Sequence, residues 1–480
     1  MRVLQIGAGP TGVSVFRQLY PILSSQNEVL DYVIADENEP GSGLAFGSTG
    51  NSHILNLPAT TMSLDPNNPL EFYNWRARSE NIWNDGTYDE RVWGEFPPRR
   101  LFGKYVSSTL QTLLDTRENA IFIKRKVQAI SELKGPNKFL VHYEGGQNEL
   151  FDKVILCIGH ARKKPLFDPN LSNYFCSPYE LSHLPSDASV GIIGSRLTAI
   201  DAALSLEDSG HKGSIYFVSR SGALPKVFDE NKKPYSKDLF IEKLLNLEYP
   251  TLNDIFVMYK EEIKSVMGLN EDSVEKLLFC VNSKETFEKE LELLGKQTDW
   301  QNVLLSSYDV VDNLWEKLSN LDKELFLEKY YGLWMTFLAA YPKSSALRIK
   351  NMMDSGQLSL IGEVKSVTQN GKTFSIFSSD KREVTVDYIV DARGVGYSED
   401  DMRCSLLLSS LLDNEMISVN EYGGIKVNTA SYEAVTRFGI VKNFHVIGDL
   451  TKGEFLSTTD VGRCVSHSVK MASYHKDSIY

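Results

Sequence analysis

Cysteine is scarce in this chain of 480 residues. There are five, at 157, 176, 280, 404 and 464, and no two form a Cys-x-x-Cys pair. That spacing speaks against a dithiol redox centre and a zinc ribbon, and it suits a reducing compartment. Long hydrophobic runs are lacking too. The longest apolar stretch, Tyr330–Tyr341, is too short to span a bilayer. The amino-terminus enters a glycine loop without a basic segment, apolar run and cleavage site ahead of it, so no signal peptide is expected. Positive charge is in deficit: 51 Lys and Arg against 63 Asp and Glu leave a net charge of −12. This argues against nucleic acid or an anionic membrane as partner. There is no Gly-x-Ser-x-Gly elbow, His-Glu-x-x-His, His/Cys cluster or Walker loop, so neither a hydrolase triad nor a metal site is expected. The expectation is a soluble cytoplasmic protein of about three domains.

What is present starts at once. Val3-Leu4-Gln5-Ile6 reads as a strand, Gly7-Ala8-Gly9-Pro10-Thr11-Gly12 as a Gly-x-Gly-x-x-Gly loop, and Val13 to Leu19 as the start of a helix. The first glycine permits a tight turn, the second lets a pyrophosphate approach the backbone, and the third lets the helix pack on the strand. Free N–H groups at the helix start, around Pro10 and Thr11, then face the phosphates. A second strand, Tyr32–Ala35, ends in Asp36-Glu37, where an acid accepts hydrogen bonds from ribose hydroxyls.

The plan repeats. Residues 121–159 run through short strand-like segments and close with Asp152-Lys153-Val154-Ile155-Leu156-Cys157-Ile158-Gly159. Residues 358–394 do the same and close with Asp387-Tyr388-Ile389-Val390-Asp391-Ala392-Arg393-Gly394. The closing glycine, Gly159 in the first block, allows a tight turn beside a nucleotide. A second loop start, Val190 to Asp201, precedes the second block. The fold expected is α/β: two nested Rossmann-like dinucleotide-binding domains with β-meanders and a mostly helical insertion in the second. The boundaries expected are 1–185 and 395–480 for the first domain, 186–236 and 356–394 for the second, and 237–355 for the insertion.

With these motifs the chain resembles flavoproteins with two dinucleotide-binding domains, and among them FAD/NAD(P)-binding proteins related to N-hydroxylating and other flavin monooxygenases. The resemblance covers nearly the whole chain. It rests on Gly7–Gly12, Gly41-Ser42-Gly43-Leu44-Ala45-Phe46, His53-Ile54-Leu55-Asn56-Leu57-Pro58, Asp65 to Phe72, Pro98 to Val106 and Val446-Ile447-Gly448-Asp449. It implies that Gly448 and Asp449 meet the ribityl chain of FAD. It also implies that Gly43, Ala45, His53, Leu55, Asn56 and Val127 approach the cofactor. Ser457 or Thr458 caps a helix expected over 459–475, whose N-terminus would stabilise a reduced flavin. Arg100 opens a helix whose dipole it opposes, which suggests an external anion. The resemblance places Arg100 and Tyr105 near the flavin, and with Asn56 they are the catalytic candidates.

The second glycine loop is altered. It reads Gly194-Ser195-Arg196-Leu197-Thr198-Ala199, with Arg196 where the second glycine belongs. A side chain there hinders a pyrophosphate, although an arginine also pairs with phosphate. The next strand ends in Ser219-Arg220, and a basic residue there suits the 2′-phosphate of NADPH. From about 238 to 355 apolar residues recur at helical spacing, as in Leu314, Leu318, Leu321 and Leu325, predicting helices of about 10–18 residues. Trp315, Trp334, Phe337 and Tyr341 read as core. Where the resembled family carries a basic cluster, Met335-Thr336-Phe337-Leu338 is apolar, which implies a larger or more apolar ligand.

The resemblance implies an FAD-dependent oxidoreductase, an NADPH-dependent monooxygenase acting on a small molecule through a flavin C4a-hydroperoxide; a homo-oligomer is left open by the sequence. Two alternatives stay open. One is a flavin oxidase or dehydrogenase with a degenerate nicotinamide site, consistent with Arg196. The other is a non-catalytic flavin-binding interaction or redox-sensing protein.

Overall fold

Short Val- and Ile-rich runs separated by helices pair in parallel when both faces are covered, and two such sheets organise this chain. The computed structural model describes residues 1–47, 50, 52–78, 95–133, 138–229, 235–279, 284–296, 298–380 and 382–477. They divide into two units, residues 1–164 with 395–480, and residues 165–394.

In the first unit six strands lie in the order Glu433–Thr436, Gly439–Val446, Lys153–Leu156, Arg2–Ile6, Asp31–Asp36 and Ala120–Lys124. Neighbours run parallel except the outermost pair, Glu433–Thr436 and Gly439–Val446. The central strands bury their apolar runs, with Leu4, Ile34, Val154 and Val446 fully enclosed, while Gly439–Val446 is buried only over its last three residues. The helices Pro10–Gln26 and Val461–Asp477, from opposite ends of the chain, pack against each other. A three-stranded antiparallel meander, Val127–Leu133, Lys138–Tyr143 and Asn148–Phe151, precedes the closing strand.

The second unit repeats this plan. Its five parallel strands follow the order Leu358–Ile361, Ile215–Val218, Val190–Ile193, Tyr388–Asp391 and Tyr174–Phe175. Its meander is Val364–Asn370, Thr373–Ser378 and Glu383–Val386. In each unit the glycine-loop strand lies between the closing strand and the second strand. Because Tyr174–Phe175 supplies the fifth strand here, residues 165–185 belong to the second unit, and the expected boundary near 185 moves to Lys164.

The helices between Asp238 and Asp354 lie within the second unit. The longest, Leu252–Met267, starts at a capping box of Thr251 with Asp254 and ends at Gly268 in the left-handed conformation. The continuous helix suggested by Leu314, Leu318, Leu321 and Leu325 is two short ones, Val311–Lys317 and Asn320–Leu325. Leu318 turns extended and the Ser319 hydroxyl caps the second helix by accepting the Asp322 N–H. Trp315, Phe337 and Tyr341 are buried, as core residues are. Among the described residues no helix is long and apolar enough to cross a membrane.

Candidate functional site

In an open parallel sheet ligands bind at the carboxyl ends of the strands, where helix N-termini point outward. In the first unit that edge collects the ends of Arg2–Ile6, Asp31–Asp36, Lys153–Leu156 and Gly439–Val446. The three loop glycines have separate roles. Gly7 has φ +109°, and a Cβ on it would stand 2.2 Å from the Cys157 carbonyl oxygen. A Cβ on Gly12 would stand 2.1 Å from the Gly7 oxygen. Both are therefore needed by the turn and by helix packing. Gly9 has nothing within 4 Å of that position. It opens the helix Pro10–Gln26, with Pro10 at the first helical position and no side chain capping the end.

Asp36 is tied to this loop. Its carboxylate accepts the Ala8 N–H at 2.8 Å and the Asn38 N–H at 2.9 Å. Burial nevertheless pushes its pKa above the ordinary carboxylate value. Glu37 faces outward and pairs with Lys126 at 2.5 Å.

The loop after the second strand leans on the first. Gly41 donates its N–H to the Ala8 oxygen at 3.1 Å. Its φ is +74°, and a Cβ would meet the Gly103 oxygen at 2.1 Å. A Cβ on Gly103 would in turn stand 2.6 Å from the oxygens of Gly41 and Phe46. The loop and the helix Arg99–Asp115 thus approach backbone to backbone, which leaves Gly43 exposed with open space at its Cα and Ala45 half-buried. His53 and Leu55 are buried and Asn56 half-buried, on a segment whose His53 oxygen accepts the Arg99 N–H at 2.7 Å. Val127 is buried at the start of the meander.

The catalytic candidates are placed differently. Tyr105 is 1% exposed. Its hydroxyl donates to Glu71 and accepts the Leu64 N–H at 3.1 Å. Glu71 is gripped by both Arg17 nitrogens, at 2.8 and 3.0 Å. Burial first, and then Glu71, raise the phenol pKa. Tyr105 is thereby fixed in a framework that holds 64–71 against the helix. Arg100 is half-buried and takes part in no ion pair among the described residues.

Asp449 is the most elaborately held acid of this edge. It follows Gly448, whose φ of +92° carries the chain past Thr11. Asp449 is 3% exposed. One carboxylate oxygen accepts the Tyr397 hydroxyl at 3.0 Å and the Thr458 hydroxyl at 2.9 Å. The other lies 2.6 Å from His160 Nδ1. Burial acts against its charge, but His160 and these hydrogen bonds outweigh burial, and the carboxyl is held below its usual range. Thr458 is therefore spent on Asp449 and does not cap the following helix. Asp460 does so, accepting the Arg463 N–H at 3.0 Å, and the helix runs over Val461–Asp477, two residues later than expected at both ends. Ser457 is buried beside it. Gly159, with φ +73° and open space at its Cα, precedes His160. The sequence reading missed His160 and Tyr397; the position of His160 directly after the closing glycine was the available signal.

At the matching edge of the second unit, Gly194 has φ +135°, and a Cβ would stand 2.5 Å from the Ala392 oxygen. Ser195 is buried, its hydroxyl donating to the Ala223 oxygen at 2.6 Å. Arg196 begins the helix Leu197–Asp208, but its guanidinium donates to the Gly332 carbonyl at 2.6 Å. Burial lowers its pKa; Tyr331 opposes that effect and Arg220 adds to it. Arg220 is exposed. Among the described residues no group of three His, Cys, Asp or Glu side chains is placed to hold a metal ion.

The fold is that of flavoproteins with two dinucleotide-binding domains. Residues 5–161 match a family described as FAD-NAD(P)-binding. No curated protein is similar to the chain in sequence. Solved structures are similar over the whole chain. The reduced form of the ornithine hydroxylase PvdA from Pseudomonas aeruginosa has a TM-score of 0.60 at 12% identity, covering 100% of this chain and 99% of that one. DfoA from Erwinia amylovora, a cadaverine monooxygenase bound to FAD, has 0.58 at 14%, covering 99% and 94%. The ornithine N-hydroxylase KtzI from Kutzneria sp. 744, with reduced FAD, NADP+ and L-ornithine, has 0.56 at 14%, covering 100% and 99%. The residues present fit a flavin dinucleotide: Gly9 leaves room at an uncapped helix start, and buried Asp449 keeps acceptor capacity at the same sheet edge.

Proposed function

We propose that the chain is an FAD-dependent oxidoreductase, an NADPH-dependent monooxygenase acting on a small molecule. The observation that carries this reading is the edge built by Gly9, Asp36 and Asp449 in the unit that matches the FAD-NAD(P)-binding family. When bound, the flavin supplies the redox chemistry, two-electron reduction by a nicotinamide and activation of dioxygen. The chain's own residues bind and orient. Gly9 admits the pyrophosphate, and the N–H groups at the start of Pro10–Gln26 donate to it. Asp36 accepts from a ribose hydroxyl and Asp449 from a ribityl hydroxyl. In the second unit Arg220 takes the 2′-phosphate of NADPH, with the N-terminus of Leu197–Asp208 toward the pyrophosphate. Asn56 and Arg100 are the candidates for contact with the flavin or substrate.

The similar structures include enzymes named for ornithine and cadaverine, so amines are the first substrate class to examine. A second reading, a flavin oxidase that does not use a nicotinamide, is favoured by the Arg196 side chain at the second loop. The FAD-loaded protein separates the two in an oxygen electrode. NADPH-dependent oxygen uptake stimulated by an amine, with hydroxylated product, supports the monooxygenase. Oxygen uptake driven by substrate alone, with NADPH inert, refutes it.

A further inference from the structure

His160 has no role in the reading above, yet it is the closest partner of its central acid. The strands Lys153–Leu156 and Gly439–Val446 are parallel neighbours with Val446 opposite Leu156. The residues just beyond them, His160 and Asp449, therefore emerge side by side at the carboxyl edge. His160 Nδ1 is 2.6 Å from one Asp449 oxygen, while Tyr397 and Thr458 occupy the other. Three donors on a carboxylate leave one acceptor direction, on the oxygen that faces His160. The His160 side chain is 24% exposed and Asp449 only 3%. The second ring nitrogen, Nε2, has no hydrogen-bond partner among the described residues and is not enclosed. The imidazole thus bridges a buried carboxylate and the open edge where a dinucleotide would lie.

Resting on the reading that FAD occupies the first unit, we propose that His160 is a positioning residue for the flavin dinucleotide. It fixes the Asp449 carboxylate toward a ribityl hydroxyl and presents Nε2–H, as a charged donor, to an oxygen of the cofactor. Burial works against a charged imidazole here, but the charge and hydrogen bond of Asp449 outweigh it and raise the His160 pKa. Titratable groups near the pair are Tyr397, with Lys452 5.8 Å from its ring centroid, the Cys464 thiol, which burial keeps protonated, and beside that thiol Asp460, whose carboxyl burial pushes above its usual range. Lys452 donates to the Leu456 oxygen at 2.7 Å. Below the His160 pKa both ring nitrogens donate; above it Nε2 becomes an acceptor and repels the cofactor oxygens. FAD binding therefore weakens as the imidazole loses its proton.

The test is titration of the flavin-free full-length protein with FAD, followed by flavin fluorescence, between about pH 6 and about pH 9. The wild type should lose about tenfold in affinity across that range, the effect of one charged hydrogen bond. His160→Gln should bind weakly with a flat profile, and His160→Lys, which keeps a charge, should bind more tightly than His160→Gln with a flat profile. Proton uptake on FAD binding to the wild type, measured by calorimetry in two buffers, needs no variant and should be positive near the His160 pKa. A wild type that binds FAD with no pH dependence and no proton uptake overturns the proposal while leaving the flavin reading intact. So does a His160→Gln profile that matches wild type. A protein that binds no FAD at any pH overturns the flavin reading and the proposal together.

Discussion

Replacing Gly9 by alanine separates folding from cofactor binding. Gly9 has φ −79° and ψ −173°, which alanine adopts without strain. Nothing lies within 4 Å of the new methyl group. Alanine reduces the freedom of the unfolded chain, a gain of about 0.4–1 kcal/mol. It is a poorer N-cap than glycine by about 1 kcal/mol. The two effects nearly cancel, so the flavin-free protein should melt within about 3 °C of wild type. Cofactor binding should respond quite differently. The methyl stands where the pyrophosphate must approach the helix start. Stretching one or two charged hydrogen bonds costs about 1.5–3 kcal/mol, which is a loss of about 10- to 100-fold in FAD affinity. Gly7→Ala is the contrasting control. Its methyl would meet the Cys157 oxygen at 2.2 Å from a backbone at φ +109°, so that variant should lose stability before any ligand is considered. The assay pairs thermal melting without FAD with fluorescence titration by FAD. A Gly9→Ala protein that binds FAD as tightly as wild type refutes the reasoning, as does one that fails to fold.

Tyr105→Phe should lower stability by about 1–3 kcal/mol, because Glu71 and the Leu64 N–H lose a buried partner. It should leave FAD affinity unchanged; a large drop in turnover at unchanged stability would return Tyr105 to the reacting groups. Arg220→Ser should raise the NADPH concentration needed for flavin reduction by about 10- to 100-fold and leave NADH unaffected, measured by anaerobic stopped-flow. Arg196→Gly should speed reduction by NADPH, since it clears the loop and frees the Gly332 carbonyl; slower reduction would make Arg196 a phosphate ligand. Acid should destabilise the protein through His475, whose pKa is lowered to about 4 by burial and then by Lys153. The unfolded chain binds this proton near pH 6.5. The stability is therefore complete above about pH 6.5 and is lost as the pH falls toward about 4, by about 3 kcal/mol. His475→Asn should flatten denaturant melts over that interval.

The parts of this molecule that depend on neighbours in sequence were legible from it. Strand, loop and helix around Gly7, Gly9 and Gly12 follow within about twenty residues, and the repeated closing strands announce two sheets. What depends on strand register was not legible. His160 and Asp449 are 289 positions apart and meet only because their strands are parallel neighbours. Tyr397 reaches the same acid from a third segment. The phenol of Tyr105 looked available because Glu71, 34 residues earlier, carries no sign in sequence that it is a partner. By residue type Ser457 or Thr458 is the expected cap, but a buried carboxylate claims the Thr458 hydroxyl and Asp460 takes the cap. The boundary near 185 failed because a two-residue strand, Tyr174–Phe175, is too short to register as a hydrophobic period.

The most direct test of the central claim is anaerobic mixing of the FAD-loaded protein with NADPH and, separately, with NADH, while the visible flavin absorbance is followed. Two working nucleotide sites, with Arg220 reading the 2′-phosphate, predict rapid bleaching by NADPH and much slower bleaching by NADH. Flavin that stays oxidised with both nucleotides would contradict the account.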